Sequence, residues 1–164
     1  RRMTDTARLI DLATQIRRDT VRLLEAAPAE AVTWTPPGIA NHVLWHAGHA
    51  LWLQDHFAIQ PLAGHSELPE SWHDRFAAGS NPAAITNWPK RHALVSALEQ
   101  QHQRIVALLE AAGHEGLPDQ LQTSEQWQTF ASSLIHGLHD EARHQGEMYL
   151  LLKIRRNDSD VSRS

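Results

Sequence analysis

Four histidines lie within one stretch of seventeen residues, NHVLWHAGHALWLQDHF, at positions 41–57. They are separated by steps of 4, 3 and 7 residues: His42, His46, His49 and His56. On an α-helix these steps place all four side chains on one face. Imidazole nitrogens bind divalent metals and also titrate near neutral pH. The stretch therefore predicts a helix that carries either a metal site or a pH-responsive surface.

A second group of such residues lies near the end of the chain, in LIHGLHDEARHQGEMYLLLKI. Asp140 and His144 are four residues apart and face the same way on a helix, with His136 one turn earlier. His139 points away from His144, and Glu141 is a weaker alternative to Asp140. One histidine of the first group would complete a set of three ligands with Asp140 and His144. Three ligands leave a position open for water or substrate, which is typical of a catalytic metal site.

Four stretches of the chain have the apolar period of an α-helix, and none alternates as a β-strand does. We predict helices over residues 4–26, 42–59, 90–112 and 124–154. The arginines of the first helix are expected on its outer side. Asn41 is expected to cap the second helix and Ser124 the fourth. The proline- and glycine-rich connection at about 60–88 is expected to contain a short helix around ESWHDRF.

These helices predict one all-α domain over residues 1–164. The expected architecture is a four-helix bundle with a long crossover connection between helices 2 and 3. The polar tail, from about residue 155 to 164, is expected to be frayed.

The composition limits the classes of function. The net charge of −4 gives no support for binding to nucleic acid, and there is no run of 18 apolar residues. A signal-peptide pattern is also absent from the sequence. The chain has no cysteine, so it offers no disulfide, no Cys-ligated zinc and no thiol nucleophile of its own. We expect a cytoplasmic protein without nucleic-acid or membrane partners.

Histidine and tryptophan are unusually frequent, with 12 and 6 residues. We expect the remaining histidines of the loops and the third helix to be solvated, namely His65, His73, His92, His102 and His114. Four tryptophans are expected to anchor the core: Trp34, Trp45, Trp52 and Trp127. Trp72 and Trp88 would pin the long connection to the bundle or roof a pocket.

At these residues the chain resembles the DinB superfamily over nearly its whole length. WTPPGIANHVLWHAGHALWLQD is similar to the second-helix signature of that family, and on this match His49 is the first metal ligand. HDEARHQGEMYLLLK is similar to the fourth-helix signature, which implies Asp140 as the second ligand and His144 as the third. Many members have histidine at position 140, whereas a carboxylate there resembles the His–Glu–His arrangement of the mycothiol-dependent isomerases. His139 could replace Asp140 only if a π-bulge distorted the helix.

The resemblance implies a four-helix bundle, expected to be a homodimer, with a divalent metal near one end. Its nitrogen and oxygen ligands suit Zn or Ni first, with Fe, Co or Mn as alternatives. His42 and His46 would support the ligands or line the pocket, and Arg143 and Glu147 are close enough to orient a substrate.

The resemblance also implies an enzyme, a transferase or isomerase that uses a low-molecular-weight thiol such as bacillithiol or mycothiol on a small-molecule substrate. One alternative is a non-catalytic metal-binding bundle that acts in a stress response. Another is a metal-free bundle whose histidine stripe is a pH-responsive interface.

Overall fold

The computed structural model describes residues 5–115, 121–122 and 127–161 of the chain. In chain order its helices are α1 (Asp5–Ala26), α2 (Val43–Gln54), α3 (Gln60–Ala63), α4 (Glu70–Phe76), α5 (Arg91–Glu115) and α6 (Phe130–Val161). A π-helical turn at Asp55–Ile59 joins α2 to α3, and a 3₁₀ turn covers Pro82–Ala84. The short strands β1 (Leu121–Gln122) and β2 (Trp127–Gln128) pair antiparallel. The predicted all-α class is confirmed, and no helix in the described ranges is long and apolar enough to cross a membrane.

The helix boundaries follow the predictions closely at three helices, since α2 begins at Val43 and its π-helical continuation ends at Ile59, and they depart from the prediction at the fourth. α1 and α5 each begin within one residue of the predicted start, and α4 coincides with ESWHDRF. The predicted N-cap of α2 is wrong, because His42 and not Asn41 caps the helix. The His42 Nδ1 atom accepts a hydrogen bond from the Trp45 amide at 3.0 Å, which is the task that a short polar side chain usually performs.

The last helix is displaced toward the carboxyl terminus relative to the prediction. α6 begins at Phe130 and not near residue 124, and the proposed cap, Ser124, lies outside the described residues. α6 also continues past residue 154 to Val161, so the segment expected to fray is helical as far as it is described.

The long helices pack through two apolar clusters. α1 lies against α5 and α6, and α2 lies against α6. The first cluster surrounds α2 and includes Leu24, Leu44, Leu51, Phe76, Leu98 and Met148. The second cluster lies at the other end of the helices and includes Ala13, Ala58, Leu109, Phe130 and Leu134. Burial of these side chains supplies the main favourable term in folding.

The tryptophans follow the predictions in part. Trp45 is buried in the first cluster, as expected, while Trp52, Trp72 and Trp88 pack against that cluster from partly buried positions. Trp34 is only half-buried, and the guanidinium of Arg155 lies 5.2 Å above its ring. The side chain of Trp127 lies outside the described part of the chain.

A layer of buried polar side chains separates the two apolar clusters. Arg17 Nε lies 3.0 Å from Glu141 Oε1, and Arg17 Nη2 donates to Glu141 Oε2 and to Gln101 Oε1, both at 3.1 Å. Thr20 Oγ1 and Gln54 Nε2 donate to the same carboxylate at 2.7 and 3.0 Å. Because α1, α2, α5 and α6 all contribute to it, the layer ties the long helices together in one register.

This layer bears on two expectations from the sequence. Arg17 is buried and not on the outer side of the first helix. The oxygens of Glu141, the weaker alternative to Asp140, accept hydrogen bonds from Arg17, Thr20 and Gln54.

Candidate metal centre

The two histidine groups meet where α2 packs against α6. The Nδ1 atoms of His46 and His144 are 2.8 Å apart, and the ring centroids of His49 and His144 are 4.7 Å apart. His46 and His49 are buried, with 1% and 5% of their surface exposed, and His144 is partly buried. Ala47 and Gly48, which lie between the two histidines of α2, are buried as well. The expected meeting of the two groups is therefore observed.

Glu147 completes a group that could hold a metal ion. Its Oε2 atom lies 3.3 Å from His46 Nε2, and its side chain is 54% exposed. One ligand atom from each of His46, His144 and Glu147 lies within 4.8 Å of the others, and among the described residues this is the only such group of three. The cluster is buried at its imidazoles and open to solvent at its carboxylate.

From the sequence, His46 and Glu147 are expected next to the metal ligands and not among them. The spacing of three residues between His144 and Glu147 puts both on one face of α6, which is the signal that could have identified Glu147. The four-residue spacing of His42 and His46 does not decide the role of either residue, because a helix cap, a metal ligand and a pocket-lining residue would all fit it.

The structure brings together two of the three residues predicted to bind metal. His49 and His144 are in contact, whereas Asp140 lies one turn before His144 and forms an ion pair with Arg143, with Asp140 Oδ1 and Arg143 Nη1 2.7 Å apart. Its negative charge nevertheless acts on the site, because it favours the protonated forms of His49 and His144.

The other candidates on α6 point elsewhere. His136 is exposed and packs against the ring of Phe57, with ring centroids 4.9 Å apart. His139 is also exposed. The turn of α6 that carries them is α-helical, so the π-bulge that would have turned His139 toward His144 is not seen there.

Burial keeps the imidazoles of the site neutral. Burial, together with the repulsion of a positive charge by the neighbouring His144 and His49, lowers the pKa of His46 to about 3. Burial also lowers the pKa values of His49 and His144, against the raising effect of Asp140. A neutral imidazole has a free nitrogen lone pair, so near pH 7 these side chains are in the protonation state that binds metals.

His49 has a fixed orientation. Its Nδ1 atom donates to the carbonyl oxygen of Phe76 at 2.6 Å. The ring is sandwiched between Trp45 and Trp52, with centroid distances of 4.7 and 5.3 Å and interplanar angles of 11° and 13°. Since a neutral imidazole carries one proton, this hydrogen bond leaves the Nε2 lone pair available.

The remaining members of the α2 stripe have different tasks. His42 caps the helix and its ring meets Trp88 edge-on at 4.5 Å, while burial lowers its pKa to about 4. His56 is exposed and stacks on Trp52 at 5.4 Å. Of the four histidines on this face, His42 is therefore a helix cap, His46 and His49 lie in the candidate site, and His56 is a surface residue.

Of the histidines expected on the surface, some are exposed and others are partly buried. His65 and His92 are exposed, as predicted. His73 and His102 are partly buried: His73 Nε2 accepts from Trp52 Nε1 at 3.2 Å, and His102 Nε2 lies 3.1 Å from Thr14 Oγ1. The side chain of His114 lies outside the described residues.

A model of a protein family matches most of the chain. The family model described as the DinB superfamily matches residues 12–148, which include both histidine groups and all the residues of the candidate site. No curated protein matches the chain. The match confirms the family resemblance that the two signatures indicated.

Proposed function

This chain belongs to the DinB superfamily, and we propose that it is a divalent-metal-dependent enzyme with its metal centre between α2 and α6. The observation that carries the proposal is the group formed by His46, His144 and Glu147, whose ligand atoms lie within 4.8 Å of one another. We also infer that α1, the α2 segment, α5 and α6 form the four-helix bundle expected from the sequence, since they pack on one another in pairs.

The residues of the site fit a divalent cation. Two neutral imidazoles and one carboxylate are a donor set suited to Zn or Ni, and also to Fe, Co or Mn. The 2.8 Å separation of His46 Nδ1 and His144 Nδ1 brings two metal-binding atoms to one point. In this proposal His49 supplies a further donor through Nε2, because its Nδ1 is already engaged with Phe76. Asp140 stays outside the ligand set while it is paired with Arg143.

The chain's own residues define where substrate would approach. The imidazoles of His46 and His49 and the ring of Trp45 are buried and exclude water from the α2 side. The side chain of Glu147 is half exposed, so the opening of the site lies on its side of α6. A bound divalent cation would lower the pKa of a coordinated water or thiol and generate a nucleophile near neutral pH.

The reaction that we propose is a transfer or isomerisation with a low-molecular-weight thiol as cosubstrate. The support is family membership together with the absence of cysteine, which means that a thiolate at this site would have to come from a second molecule. The test is to load the protein with Co²⁺ and titrate it with small thiols while recording the thiolate-to-metal charge-transfer absorption. Absence of that band, and of thiol consumption with any electrophile, would remove the thiol chemistry and leave a metal-binding protein.

A comparison of variants decides between two ligand sets that both contain His144. The first is the group that we propose, with His46 and Glu147. The second is the set implied by the family signature, with His49 and Asp140. Zn²⁺ binding is measured by calorimetry for His46→Ala, Glu147→Gln and Asp140→Asn, with His139→Ala as the matched control because that histidine is exposed on the same helix. We expect the first two variants to lose affinity and the last two to retain it. If Asp140→Asn loses binding while Glu147→Gln keeps it, the ligand set implied by the family signature is correct and ours is wrong.

A structural metal is distinguished by its effect on stability. If the cation only held the fold together, removing it with a chelator would lower the thermal midpoint strongly. We expect a small change, because the apolar clusters and the polar layer are formed by side chains that are not ligands of the cation.

A further inference from the structure

The long connection between α3 and α5 runs along the same stripe of α2 that carries the site. Three hydrogen bonds join the two in antiparallel order: Trp52 Nε1 to His73 Nε2 at 3.2 Å, His49 Nδ1 to the Phe76 carbonyl at 2.6 Å, and Trp45 Nε1 to Ser80 Oγ at 2.8 Å. Beyond them Trp88 packs on His42. The connection therefore holds α2 at successive turns, and its central contact falls on a histidine of the metal centre.

The position of that central contact depends on a glycine. Phe76 is completely buried, and its ring lies directly on Gly48, next to His49 in the sequence. A Cβ atom at position 48 would overlap the Phe76 ring. Only glycine therefore allows the last residue of α4 to lie this close to α2.

The carbonyl of Phe76 is available for His49 because of where α4 ends. Phe76 is the last residue of that helix, and the final carbonyls of an α-helix have no partner within the helix. A carbonyl oxygen can only accept, so the proton of the neutral His49 ring must be on Nδ1. The flanking rings of Trp45 and Trp52 prevent the imidazole from turning. Tautomer and orientation are thus both set from outside the metal centre.

We propose that Phe76 is a positioning residue of the metal centre: its ring on Gly48 places its carbonyl so that His49 presents Nε2 to the cation. The inference rests on the proposed function for the identity of the ligand, and it assigns to the α4 segment a role that the ligand set alone does not include. Hydrogen-bond partners of this kind typically raise metal affinity on the order of 10–100-fold.

The test substitutes the glycine and not the histidine. Gly48→Ala should displace Phe76 and weaken Zn²⁺ binding by about 10–100-fold. The matched control is Gly137→Ala, since a Cβ there would meet the Phe57 side chain at 2.8 Å, another close contact but away from the site. The double variant Gly48→Ala/Phe76→Ala removes the clash but also removes the ring that places the carbonyl, so it should not recover the lost affinity.

A spectroscopic measurement separates positioning from general damage. The ¹⁵N shifts of the His49 ring in the metal-free protein report which nitrogen carries the proton. We expect the Nδ1–H tautomer in the parent and in Gly137→Ala, and a mixture of tautomers in Gly48→Ala.

The outcomes distinguish the two proposals. Unchanged Zn²⁺ affinity in Gly48→Ala, or an Nε2–H tautomer in the parent, would overturn the positioning role and leave the metal centre intact. An equal loss of affinity in Gly137→Ala would also overturn it, because the effect would then be one of stability. A parent protein that binds no Zn²⁺ would overturn the proposed function, and the positioning role with it.

Discussion

Replacing Arg17 by methionine should destabilise the protein more than any other substitution of an arginine on α1. Arg17 has four polar contacts: two with Glu141, one with Gln101 Oε1 and one with the Leu98 carbonyl at 3.2 Å. Methionine keeps most of the apolar stem but leaves the Glu141 carboxylate, which is 1% exposed, without a positive partner. Loss of one member of a buried ion pair costs about 3–5 kcal/mol.

A loss of that size is large compared with the total stability of a domain, which is about 5–15 kcal/mol. For a chain of this length it corresponds to a fall of roughly 6–20 °C in the thermal midpoint. The assay is denaturation by urea followed by circular dichroism at 222 nm. Arg22→Met is the control, because Arg22 pairs with Asp19 at an exposed position, with 75% of its side chain accessible. Such surface pairs contribute about 0–1 kcal/mol.

A second substitution tests the reason for the loss. Adding Glu141→Gln to Arg17→Met removes the uncompensated charge and should restore about 1–2 kcal/mol, roughly the difference between leaving a buried charge and a buried neutral group unpaired. If Arg17→Met costs less than about 1 kcal/mol, or if Glu141→Gln brings no recovery, a charged layer that joins the four long helices is the wrong description.

Three further outcomes are expected. Gly146→Ala should stabilise α6 by about 0.5–1 kcal/mol, because the glycine is inside a helix and a Cβ there meets no atom within 4 Å; a lower urea midpoint would contradict this. The metal-free protein should lose stability as the pH falls below about 6.5, since His42 and His46 stay neutral in the folded state, with pKa values of about 4 and 3, but take up protons when unfolded. Equal urea midpoints at pH 7.5 and 5 would refute this. Ni²⁺ should quench the fluorescence of Trp45, whose ring centroid is 6.0 Å from that of His144, and of Trp52, which stacks on His49, so the quenching should be smaller in Trp45→Phe and unchanged in Trp34→Phe.

The sequence predicted the helices because their apolar periods are long and regular. It also predicted that the residues around His49 and His144 would meet, since each lies on the apolar side of its helix. The start of α6 could not be predicted in the same way. Ser124 has the residue type of a cap, but α6 begins only at Phe130, and Trp127–Gln128 just before it pairs as a strand.

The details of the site depended on contacts between residues far apart in the chain. The His42 cap, the burial of Arg17 and the carbonyl of Phe76 on His49 all come from the packing of one segment on another. Helical spacing places Asp140 and His144 on one face, but only the structure reveals that Arg143 competes for the carboxylate. For this reason the sequence could indicate where the two histidine groups meet, while the identity of the ligands stays a prediction.

The metal content of the protein tests the central claim most directly. The untagged protein, purified without a nickel column, is analysed by elemental mass spectrometry beside His144→Ala, which removes a ligand common to both sets, and His139→Ala as the exposed control on the same helix. The proposed function predicts close to one divalent metal ion per chain in the parent and in His139→Ala, and none in His144→Ala. Equal metal content in His144→Ala and the parent, or no uptake by the parent after incubation with zinc, nickel and manganese, would contradict it.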